Sequence, residues 1–471
     1  MDTIASISTA PGQGGIGIIR ISGPKAFDIA LKIFKNNKIK TKKDIIPNTI
    51  NYGHLYDDDT LIDEIMCSFF KSPYSYTRED ICELNIHGGI VVSKKVLDLV
   101  IKNGARIAKP GEFTKRAFLN GRIDLSQVEG IASLLSAKSE KEAEISNTLL
   151  AGKLQERISE SKKNLLNILM HLEVNIDYPE YDNPQLTKKN ILEILNKEYD
   201  VFKKFEENFD IGSKIKNGFN LALIGKPNSG KSSLLNYFLN KERAIVTDIA
   251  GTTRDTIEED ISIDGIPIRL IDTAGIRESS DTVEKIGIKK SIEAAKSADI
   301  IMALFDLSQK LNDEDKNILN ICFDILKSKK KDTKEIIFIL NKSDLKPNFS
   351  KKDFENLIIK NNISKDDFKI FEISTINKNG LSDLLDYLKN ILNNKFYTKD
   401  NDFIIIHERQ KNIIINSTKL LKKTIDEIDN VPEDILSLNI QAIVNKLNEL
   451  TGENVKEEIL NEIFSNFCLG K

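Results

Sequence analysis

Cysteine is scarce in this chain. Cys67, Cys82, Cys322 and Cys468 stand far apart in 471 residues, and none belongs to a Cys-x-x-Cys pair. That pattern excludes the usual thiolate zinc motifs and points to a reduced, cytosolic setting. No apolar run approaches the ~20 residues that a membrane span needs. The opening MDTIASISTAPGQGG has no basic stretch ahead of an apolar one, so no export signal is expected. An excess of one charge is also missing: 68 Lys+Arg against 71 Asp+Glu leave a net charge of −3. A chain this close to neutral has no bulk attraction for nucleic acid. If RNA is the substrate, local patches or a partner must supply the phosphate contacts. No internal repeat and no long low-complexity tract is present.

Apolar content of 40% supports real cores, and charged content of 30% fits a chain rich in exposed helices. The length implies two to four domains. Residues 1–118 read as α+β, with β-branched runs at Ile16–Ile21, Thr49–His54, Ile62–Phe69 and Ile81–His87 and a helix over Val91–Lys102. From Leu125 to Asp210 apolar residues recur at three- and four-residue spacing, with a break at Tyr178–Pro184. Strands then alternate with helices from Asn220 to Asn393, the signature of a parallel α/β sheet. Helices return at Arg409–Ile428, Pro432–Leu450 and Asn454–Phe467. The expected domains are 1–118, 119–215, 216–394 and 395–471, the third an α/β insertion within an all-α domain.

Gly225-Lys226-Pro227-Asn228-Ser229-Gly230-Lys231-Ser232 fits G-x-x-x-x-G-K-[ST] between an expected strand and helix, with Ser233 following. In such a loop, backbone N–H groups turn toward phosphate oxygens at a helix N-terminus. Lys231 reaches the β- and γ-phosphates, and the Ser232 hydroxyl binds Mg²⁺. Asp272-Thr273-Ala274-Gly275 ends the strand Ile266–Ile271, where a carboxylate holds the magnesium shell. Asn341-Lys342-Ser343-Asp344 ends the strand Glu335–Leu340. Asp344 can accept from the N1–H and N2–H₂ edge of guanine, an edge that adenine lacks. Ser374-Thr375 follows a strand at Lys369–Ile373 and backs up that contact. The pattern is that of a Ras-like P-loop GTP site.

Where Ras-type GTPases carry a water-orienting glutamine, this chain has Ile276. Glu278, three residues past Gly275, is the candidate that aligns water; the alternative is a solvated loop carboxylate. A monovalent cation is the candidate for the charge that an arginine finger supplies elsewhere. Asn228 can offer it an amide oxygen, or can simply stabilise the loop. The segment Thr247-Asp248-Ile249-Ala250-Gly251-Thr252-Thr253 can close over the phosphates with its carbonyls, with Thr253 as the switch threonine for Mg²⁺.

Together with Asp2–Ala5, Pro11–Gly23 (PGQGGIGIIRISG), Tyr76–Gly89 (YTREDICELNIHGG), Pro110–Leu125 (PGEFTKRAFLNGRIDL) and Phe467–Lys471, these residues resemble the MnmE (also TrmE) family of tRNA-modification GTPases. The resemblance spans the whole chain. It implies an α+β N-terminal folate-binding domain that forms a homodimer, an all-α helical domain, and an inserted GTPase domain activated by K⁺. It also implies an FAD-dependent MnmG-type partner, in a heterotetramer. The joint product is an aminomethyl or carboxymethylaminomethyl group on C5 of the tRNA wobble uridine, made with a one-carbon tetrahydrofolate (5-formyl or 5,10-methylene). The family's K⁺ contacts fall on Asn228, Thr247, Ile249 and Thr252, and its catalytic glutamate on Glu278. Its folate contacts fall on Arg20, Glu83, Arg122 and Lys471. By chemistry alone, without the resemblance, a strand-face ion pair is the favoured reading of Arg20 and Glu83. Arg122 stands where lysine is frequent in the family, and Arg78 where glycine is common.

Cys468 is either a buried thiol or a nucleophile or proton donor near the one-carbon unit. A ribosome-assembly or regulatory GTPase without modification chemistry would show the same nucleotide motifs. It would usually carry an RNA module, and no Gly-x-x-Gly KH loop stands in a suitable βα setting. For a membrane-linked GTPase, the ending Cys-Leu-Gly-Lys is a poor prenylation signal.

Overall fold

The computed structural model describes residues 2–177, 187–241, 260–263, 265–271, 294–328, 334–396, 405–465, 467 and 470. The chain forms two compact units. One comprises Met1–Leu135, Ser146–Phe202 and Asn412–Lys471; the other comprises Ser136–Ile145 and Lys203–Lys411.

The first unit is built on a seven-stranded sheet. Its strands are β1 (Ile4–Ile7), β2 (Ile16–Ser22), β3 (Phe34–Lys35), β4 (Ile50–Asp57), β5 (Thr60–Phe70), β6 (Ile81–His87) and β7 (Arg106–Ile107). They lie in the order β3-β4-β5-β6-β2-β1-β7, antiparallel except where β7 joins β1. Alternation along the strands decides which face is buried. Ile19 and Ile21 of β2 and Cys82, Leu84 and Ile86 of β6 point into a core closed by α1 (Ala26–Ile33) and α2 (Ile90–Lys102). The intervening Arg20 and Glu83 fall opposite one another on the other face.

Cys67 and Cys82, on the neighbouring strands β5 and β6, meet in this core with sulfurs 3.4 Å apart. Both are free thiols, and burial pushes the Cys82 thiol well up.

Helix α3 (Glu112–Leu119) begins just after Gly111, whose φ is +66°; a Cβ there would stand 2.7 Å from the Phe464 carbonyl oxygen. Helix α4 (Leu125–Ser136) follows. Phe467 packs with Ala117, Leu125, Val128 and Phe464 in a separate apolar cluster. Further along come α5 (Glu140–Leu150), α6 (Lys153–Asp177) and α7 (Lys188–Asn217). Helix α7 runs past the expected end at Asp210, since its lysine-rich last turn still buries Ile215. The break at Tyr178–Pro184 lies outside the described residues.

The second unit carries a six-stranded sheet with β8 (Phe219–Gly225) inside it, followed by helix α8 (Lys231–Lys241). The other strands are β9 (Asp260–Ile263), β10 (Ile266–Ile271), β11 (Ile300–Asp306), β12 (Glu335–Asn341) and β13 (Lys369–Glu372). The order is β13-β12-β11-β8-β10-β9, parallel except for the β9–β10 hairpin. β11 is buried at every position, as a strand covered on both faces must be. Its helices are α9 (Asp313–Lys327), α10 (Lys351–Ile359) and α11 (Leu381–Phe396). The chain after β8 goes first to β10 on one side and then to β11 on the other. The loop following β8 therefore sits where the strand order reverses, the usual ligand crevice of an open α/β sheet.

Three helices follow: α12 (Glu408–Glu427), α13 (Glu433–Thr451) and α14 (Glu457–Ser465). α14 is shorter at both ends than the expected Asn454–Phe467. The architecture is multidomain, with an α+β N-terminal sheet, helical segments and a separate α/β sheet of the P-loop type.

Candidate functional site

The phosphate loop leaves β8 through Gly225. A Cβ there would meet Ser229 Oγ at 2.7 Å and the Leu304 oxygen at 2.8 Å, so the position demands glycine. Gly230 adopts φ +105°, and a Cβ would lie 2.0 Å from Asn341 Nδ2. Asn228 is left-handed at φ +60°, a conformation asparagine tolerates better than most residues. Lys231 folds back over the loop and donates to the carbonyls of Gly225 at 2.7 Å and Lys226 at 2.9 Å. Burial holds its pKa below the ordinary lysine value. Ser232 and Ser233 are exposed in the first turn of α8.

The base side is knitted to this loop. Asn341, fully buried at the end of β12, donates Nδ2 to the Ser229 carbonyl at 2.8 Å and accepts from Thr375 N at 3.3 Å. Ser374 donates its hydroxyl to Asp344 Oδ1 at 2.6 Å and accepts from Asn377 N at 3.1 Å. Asp344 is exposed, which leaves its carboxylate open to an incoming base. Lys342 has φ +65° and donates to Asp306 Oδ2 at 2.7 Å. Burial alone would push the Asp306 carboxyl up, but the bonds from Lys342 and Ser308 outweigh it and hold its pKa below the ordinary value. Asp306 carries no motif signal in the sequence; it is found only because β11 ends beside β12.

Thus Asn228, Ser229, Gly230, Lys231, Ser232, Asn341, Lys342, Asp344, Ser374 and Thr375 gather at the ends of β8, β12 and β13. Thr247, Asp248, Ile249, Ala250, Gly251, Thr252, Thr253, Asp272, Thr273, Ala274, Gly275 and Glu278 lie outside the described residues. Among the described residues, no cluster of His, Cys, Asp and Glu forms a metal site.

A second cluster forms on the N-terminal sheet. Arg20 Nε donates to Glu83 Oε1 at 2.8 Å, across the register that pairs β2 with β6. The Arg20 guanidinium lies 5.4 Å from the Tyr76 ring centre and 5.7 Å from that of Phe113. Arg122 stands 4.5 Å from the centre of the same Tyr76 ring. The Tyr76 hydroxyl shares a 2.9 Å hydrogen bond with Thr114. The chain terminus arrives here too: the Gly470 carbonyl accepts from Ser8 Oγ at 3.0 Å and from Arg20 Nη1 at 3.4 Å. Cys468 and Lys471 lie outside the described residues.

Tyr76 is the residue that sequence reasoning missed at this cluster. It opens the segment Tyr76–Gly89, but a lone aromatic reads equally as core. Arg78 donates to the Asn120 carbonyl at 2.9 Å. Its φ of +59° accounts for why glycine suits that position.

The strand–loop–helix with its Asn-Lys-x-Asp partner defines a P-loop GTPase domain carried within a larger chain. Residues 3–122 match the family described as the GTP-binding protein TrmE N-terminus, and residues 125–468 match the MnmE helical domain. The chain is 45% identical to the tRNA modification GTPase MnmE of Thermoanaerobacter pseudethanolicus, over 100% of this chain and 99% of that one. It is 41% identical to that of Acetivibrio thermocellus over the same shares, and 41% identical to that of Finegoldia magna over 100% of both. The chain belongs to the MnmE family of tRNA modification GTPases.

Proposed function

We propose that this protein is a K⁺-activated, cytoplasmic GTPase that works as a homodimer with an FAD-dependent MnmG-type partner. Together they add an aminomethyl or carboxymethylaminomethyl group to C5 of the wobble uridine of certain tRNAs. The carbon comes from a one-carbon tetrahydrofolate held by the N-terminal domain, residues 1–118. The GTPase domain, residues 216–394, interrupts the helical domain of residues 119–215 and 395–471. Among the described residues no helix is long and apolar enough to cross a membrane.

One observation carries the reading beyond a generic GTPase. Arg20 and Arg122 lie by the Tyr76 ring, and Arg20 bonds both Glu83 and the carbonyl of Gly470, 450 positions away. A regulatory GTPase has no need of such a cluster. Glu83 offers a carboxylate to the amidine-like edge of a pterin, while Arg122 and Lys471 offer charge to a folate glutamate tail.

At the nucleotide, Lys231 and the loop amides hold the phosphates, and Asp344 reads guanine. Ser232 and Thr253 are assigned to Mg²⁺; Ser232 is exposed at the helix start, as that role requires. Asn228, Thr247, Ile249 and Thr252 are assigned to K⁺, which supplies positive charge beside the transferred phosphoryl group. Asn228 fits through its left-handed backbone inside the loop. Glu278 orients the attacking water. Cys468 is assigned to the one-carbon end of the folate site.

The test is GTP turnover at constant ionic strength with Na⁺ replaced by K⁺. Turnover rises steeply in K⁺, Asn228→Ala removes the difference, and Glu278→Ala lowers kcat by ~10²- to 10⁴-fold with nucleotide binding retained. Equal turnover in the two salts takes the cation out of the mechanism.

A further inference from the structure

Among the described residues, two side-chain bonds tie the phosphate loop to other segments, and only one of them involves the guanine-reading motif. The first is the Asn341 bond to the Ser229 carbonyl. The second is Lys226, at a position where the loop motif accepts any residue. Its ammonium is buried and donates to Asp315 Oδ2 at 2.9 Å, with side-chain exposures of 7% and 1%.

Asp315 belongs to the first turn of α9. Its Oδ2 also accepts from Asn312 N at 3.1 Å, while Asn312 Oδ1 accepts from Asp315 N at 3.0 Å. This reciprocal cap fixes the carboxylate in place. Its other oxygen, Oδ1, is buried without a hydrogen-bond partner among the described residues. A buried ion pair of this kind adds little net stability over an apolar pair of the same shape. Its presence at a site whose motif does not require it calls for another role.

Only Pro227 and Asn228 separate Lys226 from the Ser229 anchor. The loop has no slack to absorb a shift. Gly225 has no room for a Cβ, and Ser229 Oγ is itself buried without a partner among the described residues. Movement at Lys226 therefore passes to Asn228 and its left-handed backbone.

We propose that Lys226 and Asp315 are positioning residues for the phosphate end of the GTP site. The pair fixes the leading half of the loop, and through it the Asn228 amide, without touching guanine. The inference rests on the GTPase reading of this site.

The test uses the full-length protein, with turnover at saturating GTP and equilibrium binding of GDP measured on each variant. Wild-type turnover checks the underlying reading first; its absence overturns that reading. With wild-type turnover present, Lys226→Met and Asp315→Asn should each lower kcat by about 10²-fold, the scale of a 1 Å misplacement. GDP affinity should stay within about threefold, Lys226→Arg should recover most of the rate, and the double variant should be no worse than either single one. Asp315→Asn keeps an oxygen for the α9 cap, so it remains informative if Lys226→Met does not fold. A folded Asp315→Asn protein with wild-type kcat overturns the proposal. So does a loss of rate that tracks GDP affinity and is not recovered by Lys226→Arg.

Discussion

The Gly470 carbonyl accepts a hydrogen bond from the Arg20 guanidinium at 3.4 Å, across 450 positions of sequence. Ser8 Oγ donates to the same oxygen at 3.0 Å. Gly470 is thereby tied to the strand that carries the candidate folate contact. The tie is tight: a Cβ at Gly470 would stand 2.2 Å from the Ile7 oxygen, and φ is +96°.

Gly470→Ala should therefore dislodge the tail, through the clash and through ~1 kcal/mol or more of backbone cost. GTP hydrolysis should remain near wild type while wobble-uridine modification falls sharply, read by mass spectrometry of tRNA nucleosides. Deleting residues 468–471 should do the same, and Cys468→Ser should show whether the sulfur matters. Full modification by the truncated protein would remove Lys471 and Cys468 from the site.

Arg20→Ala and Glu83→Ala each leave the other half of a mostly buried ion pair without its partner. Both should weaken binding of 5-formyltetrahydrofolate to the full-length protein by calorimetry, by about 10-fold or more for a charge-assisted contact. GTP affinity should not change. Unchanged folate affinity in both variants would reduce the pair to a strand-face ion bridge.

Asp344→Asn tests guanine reading. The carboxylate is steadied by Ser374 at 2.6 Å and is expected to accept two bonds from the base. Bonds to a charged group are worth about 1.5–3 kcal/mol each, so GTP affinity should fall by ~10²- to 10⁴-fold. Xanthosine triphosphate, with an oxygen where guanine has its amino group, should lose less or gain. Retained GTP preference would move base recognition elsewhere.

The N-terminal sheet should have a definable acid limb. Burial pushes the Glu112 carboxyl up, but hydrogen bonds from Arg106, the Lys109 amide and Arg116 outweigh it and hold the pKa at about 2, against a usual 4.5. A carboxyl lowered on folding stabilises fully above its unfolded pKa and loses that contribution as pH falls through the folded one. Thermal melting should thus decline between about 4.5 and about 2, and Glu112→Gln should flatten the decline. Identical acid limbs in the two proteins would place the sensitivity elsewhere.

The positions of the described nucleotide motifs in the fold were legible because each follows or ends a strand, and strand ends can be read from short β-branched runs. Ile266–Ile271 matches β10, and Glu335–Leu340 falls one residue short of β12. The facing of Arg20 and Glu83 was half legible: period-two alternation puts each on a polar face, but only the β2–β6 register makes them neighbours. β1 and α1 escaped notice, being only 4 and 8 residues long. The meeting of Lys226 with Asp315 and of Gly470 with Ser8 depends on tertiary packing between distant segments, which leaves no local signal, and that of Cys67 with Cys82 depends on the β5–β6 register.

The most direct measurement combines full-length protein, the FAD-dependent partner, GTP, K⁺, a one-carbon tetrahydrofolate and tRNA lacking the wobble modification, with the uridine followed by mass spectrometry. The account predicts that the modified nucleoside accumulates as GTP is consumed in K⁺, and fails to accumulate when Na⁺ replaces K⁺. Rapid GTP hydrolysis with the wobble uridine left at its original mass would contradict it and favour a regulatory GTPase.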